Sequence, residues 1–329
     1  MYRITSWCTG VVLAFAAMGL TQESSAQAGD FPRKEVRMIV PAPPGSGPDS
    51  LARLLGQRLT EQWKRQVIIE NITGAGGVIG HDRGARAEPD GYTLLMGLIG
   101  PMSVSSHLLK DMPYDPVKDL APVTLLVTLP NILTVNPQVP VNNLAELIAY
   151  AKESPDKLRY GFPGYGTSLH LAAEQFNMMA GVNVQGIPYT TSSQMTVDAI
   201  GGRIEMIFHN VPVILPHIQA GAMRAIGITS AERNQAVPDI PTLDEQGLKG
   251  YEVTSWYGMW VPAGTPGAIV SKLNSDVAQA LEHPDVARWM HSQAGTAGGG
   301  SAEQLAKFQQ EESRKWAKLI QAAGIKLQE

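Results

Sequence analysis

Residues 40–59 read VPAPPGSGPDSLARLLGQRL and follow directly from the apolar run VRMIV at 36–40. The apolar run is a strand. Leucines at 51, 54, 55 and 59 recur at helical spacing, so a helix follows. Between them lies a bare loop of proline, glycine, serine and aspartate. Such a loop delivers backbone N–H groups and the positive end of a helix to one point, which suits an anion. Outward from this stretch the pattern repeats. QVIIEN (66–71) is a strand, GAGGVIGHDRGARA (74–87) opens at glycines and continues as a helix, and DGYTLLMG (90–97) is a strand. The β-α-β-α-β order predicts an α/β fold with a parallel, doubly wound sheet.

The alternation resumes further along the chain. NILTVNP (131–137), LRYGFPG (158–164), VQGIPY (184–189), IEMIF (204–208) and MRAIGIT (223–229) are strands. NLAELIAYAKESP (143–155), LHLAAEQFNMMAG (169–181) and SQMTVDAIGG (193–202) are helices between them. Two helical stretches, 267–283 and 301–324, close the chain; the charges of EESRKWAKLIQ read as a solvated face. Two α/β units followed by helices imply a discontinuous first lobe. The expected division is 29–127 and 255–329 for lobe 1 and 128–254 for lobe 2, with two crossover strands as a hinge. Ligands of open α/β sheets bind at the carboxyl ends of the strands, and a clamp turns both sets of ends toward one cleft.

The N-terminus gives an address. One arginine, the apolar CTGVVLAFAAMGL and then Ala26-Gln27-Ala28 form a secretory signal peptide over residues 1–28, cleaved after Ala28. The only cysteine, Cys8, lies inside it, so the exported chain is expected to lack disulfides, thiol nucleophiles and cysteine metal sites. The net charge of −4, with both signs interspersed, argues against a nucleic-acid surface.

Motif by motif, chemistry recedes and binding remains. The 42–49 loop has no Lys-Ser or Lys-Thr after it, so it is not a nucleotide P-loop. GAGGVIG has Ile79 where the dinucleotide fingerprint needs glycine, and its glycines read as turn and packing residues. PGSGP around Ser46 is not a nucleophile elbow. The seven histidines show no metal spacing, so neither metal nor cofactor is expected. Asp49 reads as a cap or first-turn residue, with ligand contact as the alternative. The second strand–helix loop supplies Tyr165, Gly166, Thr167 and Ser168, with Thr167 or Ser168 as the cap. His170, in the first turn, reads as packed and hydrogen-bonded. IPYTTSSQM puts Thr190 and Thr191 ahead of another helix, either as a cap cluster or as neutral donors. A further strand ends in Phe208, His209 and Asn210, where side chains facing a cleft would fall.

Taken in order, seven stretches resemble the substrate-binding receptors of tripartite tricarboxylate transporters, the Bug-type receptors. They are 31–53, 67–97, 112–126, 164–176, 187–208, 215–233 and 251–266. The resemblance implies a two-lobed periplasmic binding protein of type II-like architecture. It implies a small carboxylate held between the loops Ala42, Pro43, Gly45, Ser46, Gly47, Asp49 and Gly164–Ser168, and partnership with the large and small membrane subunits of the transporter. A monomeric receptor, not an enzyme, is the expectation. The alternatives are a small-ester or amide hydrolase on the same architecture, or a ligand sensor for a membrane kinase. Many relatives carry aspartate where this chain has His209. A histidine there does not repel a second carboxylate, so the expected ligand is a dicarboxylate or an aromatic acid, with Tyr165 and Phe208 beside a ring and His209 or Asn210 at the distal end. Otherwise, His209 points away and only fills space.

Overall fold

The computed structural model describes residues 30–325. The expected signal peptide and its cleavage point lie outside them. Lobe 1 begins with β1 (Val36–Val40), α1 (Gly47–Trp63) and β2 (Val67–Asn71). A 3-10 turn at Ala75–Gly77 leads into α2 (Val78–Ala85), then β3 (Thr93–Leu98) and a π-helical turn at Gly100–Val104 that runs into α3 (Ser105–Leu108). β1 pairs in parallel with both β2 and β3. Helix α1 forms because Leu51, Leu55 and Leu59 share one face, all fully buried, while Pro48 fixes its first turn. The glycines before α2, Gly74, Gly76 and Gly77, turn the chain at positive φ, and Gly80 inside α2 is a packing residue. A Cβ at Gly80 would stand 2.5 Å from the Ile72 carbonyl oxygen, so only glycine lets α2 lie this close to the sheet.

Next comes β4 (Leu120–Val135), which serves both halves of the molecule. Its first half pairs with β9 (Thr254–Pro262) and β10 (Thr296–Gly299). Its second half pairs with β7 (Met206–Asn210) and β8 (Arg224–Ile228). Lobe 2 adds α4 (Leu144–Glu153), β5 (Arg159–Phe162), α5 (Ser168–Ala180), β6 (Gln185–Pro188), α6 (Ser192–Ile200) and α7 (Val211–Gln219). Lobe 1 closes with α8 (Gly267–Leu281), α9 (Pro284–Ser292) and α10 (Ala302–Ala323). The strand order is β2-β1-β3-β9-β4-β7-β5-β6. Each lobe therefore has the expected parallel pairs, but every pairing of β4 and β9 is antiparallel. The chain crosses between lobes along β4 and returns along β9, and strands that run in opposite directions cannot join a wholly parallel sheet.

The crossing is fastened by one hydroxyl. Thr229 Oγ1 accepts the Asn131 N–H at 2.8 Å and donates to the Val253 carbonyl at 2.6 Å, and the Val253 N–H returns to the Thr229 carbonyl at 3.0 Å. A fully buried threonine thus ties the outgoing strand to the chain entering the returning one. The charged face of α10 is corrected at one position. Glu312 is buried, and one carboxylate oxygen accepts the indole N–H of both Trp256 and Trp316, each at 3.0 Å.

Thr229→Val keeps the shape and orphans the buried Asn131 N–H together with the hydroxyl's contact to Val253. The expected loss is about 2–4 kcal/mol, at about 1–3 per buried group left without a partner. Denaturant unfolding measures it, with an unchanged midpoint as the contrary result.

Candidate functional site

Four segments at the carboxyl ends of parallel strands converge on one cleft of about 630 Å³, a volume usual for a small-molecule site. From lobe 1 come Pro48 at the start of α1, Ala75 and Gly76, and, from the end of β3, Leu98–Pro101 with Ser105, Leu108 and Leu109. Pro163 to Ser168, the loop that opens α5, comes from lobe 2. Between them, Ser255 and Tyr257 of β9 form the floor.

The 42–49 loop is shaped from within. Asp49, 2% exposed, accepts from the Gly45 N–H at 2.8 Å, Arg53 Nε at 2.9 Å and Asn71 Nδ2 at 2.9 Å. Burial alone would raise its pKa, but the hydrogen bonds from Arg53, Gly45 and Asn71 hold the carboxyl below its ordinary range. Its oxygens are occupied in tying the loop to α1 and β2, so Asp49 is a loop-shaping residue and its ligand role is corrected. Asn71 also reaches the Ala42 carbonyl, at 3.0 Å. Ser46 takes the cap position of α1, but its hydroxyl donates to the Pro43 carbonyl at 2.6 Å and caps nothing. Of this loop, Pro48 lines the cleft, beside the first turn of α1.

The lobe 2 loop fits its expectation more closely, since Tyr165, Gly166, Thr167 and Ser168 all line the cleft. Thr167 caps α5, accepting the His170 N–H at 3.3 Å while its hydroxyl donates to the Gly164 carbonyl at 2.8 Å. That hydroxyl is committed to the loop. The Gly166 N–H donates to His170 Nδ1 at 3.3 Å, and burial lowers the imidazole pKa to about 4. His170 is thus a neutral acceptor that holds the loop from behind. Gly166 has φ +74°, and a Cβ there would stand 3.1 Å from Val104 and 3.2 Å from Leu108 across the cleft. Tyr165 stands edge-on to Phe162 and His170, with ring centroids 5.0 and 5.3 Å away.

Other expected residues lie elsewhere. Phe208 is fully buried against Phe176, so it cannot face a ligand ring. His209, 2% exposed, alternates to the opposite face of β7 and pairs across to Ile132, outside the cleft lining. Neither of its ring nitrogens has a hydrogen-bond partner among the described residues, and burial lowers its pKa to about 4. Asn210 begins α7 and donates from Nδ2 to Asn131 Oδ1 at 3.1 Å. Thr191 is an ordinary cap, accepting the Gln194 N–H at 3.3 Å; neither it nor Thr190 lines the cleft.

The walls have a clear character. Leu98, Ile99, Pro101, Leu108, Leu109 and the two tyrosines are mostly apolar, and no charged side chain lines the cleft among the described residues. Ser105, Ser168, Ser255 and Tyr257 line it, and their side-chain hydroxyls make no protein hydrogen bond among the described residues. Two helix N-termini, a few hydroxyls and an apolar middle give the cleft neutral donors of the kind that suit an anion. The family model for the tripartite tricarboxylate transporter family receptor matches residues 51–325. The chain belongs to this receptor family. A receptor-family relative in a Pseudomonas species, the UPF0065 protein of the tcbD-tcbE intergenic region, is 36% identical over 94% of this chain and 93% of its own length. Among solved structures of the family's fold, a Rhodopseudomonas palustris protein with adipate is 34% identical, with TM-score 0.79 over 90% of this chain and 99% of its own. MatC from Rhodopseudomonas palustris, with bound malate, is 31% identical, with TM-score 0.75 over 88% of this chain and all (100%) of its own.

Asp49→Ala removes one acceptor from three donors, and the expected loss is about 2 kcal/mol at neutral pH. Because the folded-state pKa is depressed, this contribution is present above the ordinary carboxyl pKa of about 4 and is lost as pH falls below it. The variant and the parent should therefore converge in stability toward pH 3. A difference that stays constant from pH 7 to pH 3 contradicts this account.

Proposed function

We propose that the chain is a periplasmic receptor that captures a small carboxylate between its lobes and delivers it to the large and small membrane subunits of a tripartite tricarboxylate-type transporter. The observation that carries this reading is the meeting of the α1 and α5 N-termini at a cleft with uncharged, donor-bearing walls. Backbone N–H groups at these two ends hold the carboxylate, and closure follows from the contacts that the ligand makes with both lobes at once. The lobes divide at 127/128 and 254/255, the exported chain starts after Ala28, and the receptor works as a monomer. Among the described residues, no helix is long and apolar enough to cross a membrane.

A dicarboxylate or an aromatic acid is the proposed ligand class. His209 no longer supports this choice; the lining does. No Asp or Glu lines the cleft among the described residues, so an ammonium group would be buried without a counter-ion. The apolar walls suit a methylene chain or a ring. The relatives solved with adipate and with malate agree with an acid of this size.

A thermal-shift panel of C4–C7 diacids, tricarboxylates, benzoate, phthalate and amino acids tests the proposal. A ligand at a hundredfold excess over Kd should stabilise the fold by about 2.7 kcal/mol, a readily visible rise in melting temperature. The acid recovered afterwards should be unchanged, which separates a receptor from a hydrolase. An amino acid that shifts the melt more than every diacid would refute the ligand class.

A further inference from the structure

Tyr257 was not singled out by its sequence surroundings, yet it occupies the centre of the cleft floor. Strand β9 holds it from both sides, opposite Leu98 of β3 and Val127 of β4. Its ring packs against the lobe 1 core formed by α1, α8 and the sheet. The hydroxyl emerges from that packing into the cleft and has no protein partner among the described residues. It also lies against the first residue of α1, because a Cβ at Gly47 would stand 3.1 Å from the phenolic oxygen. The hydroxyl and the α1 N-terminus therefore converge on one point.

From this placement we infer that Tyr257 is a ligand-binding residue whose hydroxyl donates to the carboxylate held at the α1 N-terminus. The assignment rests on the receptor reading and adds to it a directional side-chain donor on the returning crossover strand. Burial raises the phenol pKa, so the group remains protonated and able to donate throughout the physiological range. A donor fixed between two paired strands needs little reorganisation to meet the ligand. It is also one of few donors in a cleft without Arg, Lys or His in its lining among the described residues, which makes its removal conspicuous. The glycine at position 47 then has a functional reason. It keeps the space beside this oxygen open for the carboxylate.

The test is calorimetric titration of the wild type and Tyr257→Phe with succinate, adipate, malate and benzoate, together with the melting temperature of each ligand-free protein. A hydrogen bond to a charged group is worth roughly a tenfold to a hundredfold change in affinity. The expected result is a loss of that size in Tyr257→Phe for every acid that the wild type binds, with the ligand-free melting temperature unchanged. Gly47→Ala, which crowds the hydroxyl, should weaken binding in the wild-type background and much less in the Tyr257→Phe background. Equal affinity of wild type and Tyr257→Phe overturns the assignment while leaving the receptor reading intact. A fall in ligand-free stability that accounts for the whole loss overturns it too, by making the hydroxyl structural. A wild type that binds none of the acids overturns the receptor reading first, and the assignment with it.

Discussion

The 16-residue strand Leu120–Val135 is the constraint on which everything else depends. Backbone hydrogen bonds leave a strand no freedom to choose partners residue by residue. Beyond the register irregularities at Pro122–Thr124 and Leu125–Val127, the pairing of β4 with β9 sets which way the side chains from Val127 to Pro130 face. β4 continues from Leu129, opposite Ser255 on the cleft floor, through Asn131 to Leu133 in the lobe 2 core, on alternate positions throughout. The cleft floor is carried by Ser255 and Tyr257 of β9, the strand that pairs with the first half of β4. The Thr229 hydroxyl, bridging Asn131 and Val253, keeps the return path beside the outgoing one. The lobes are thus two ends of a shared sheet, and the ligand site is a property of that sheet.

From this frame the chemistry of the site follows with few charged parts. Asp49 acts on its own loop, joining Gly45, Arg53 and Asn71 so that α1 starts where it does. His170 does the same from lobe 2, through Gly166. Both titratable groups stand behind the loops that they shape. What reaches the cleft is backbone, hydroxyl and hydrocarbon. A carboxylate in such a place is held by oriented dipoles that were in position before it arrived.

The sequence disclosed the parts of this arrangement that local chemistry encodes. Proline and glycine at a strand–helix junction mark a loop wherever it lies in space, and so both strand–helix loops were legible. The order of strands and helices gave the lobes. What stayed hidden was set by distant partners. Phe208 and His209 lie on a strand buried on both faces, where alternation says that neighbours point apart but not which one meets the cleft. Tyr257 reaches the floor only because β9 lies between β3 and β4, a pairing that no local pattern announces. The segment Ile99–Pro101 carries no polar signal at all, and it matters because it follows the carboxyl end of β3. Glu312 looked solvated from its own helix because its indole partner Trp256 lies 56 residues away.

The uncharged wall has a consequence for how the cargo leaves. A receptor that grips its anion with arginine or histidine can be made to let go by a change in local acidity or by a competing charge. In the proposed site the lining groups are backbone amides, hydroxyls and hydrocarbon, which do not titrate between pH 5 and 9. For the proposed receptor, unloading is then mechanical. Prising Gly166 away from Val104 and Leu108 would part the two helix ends and leave each with half a site.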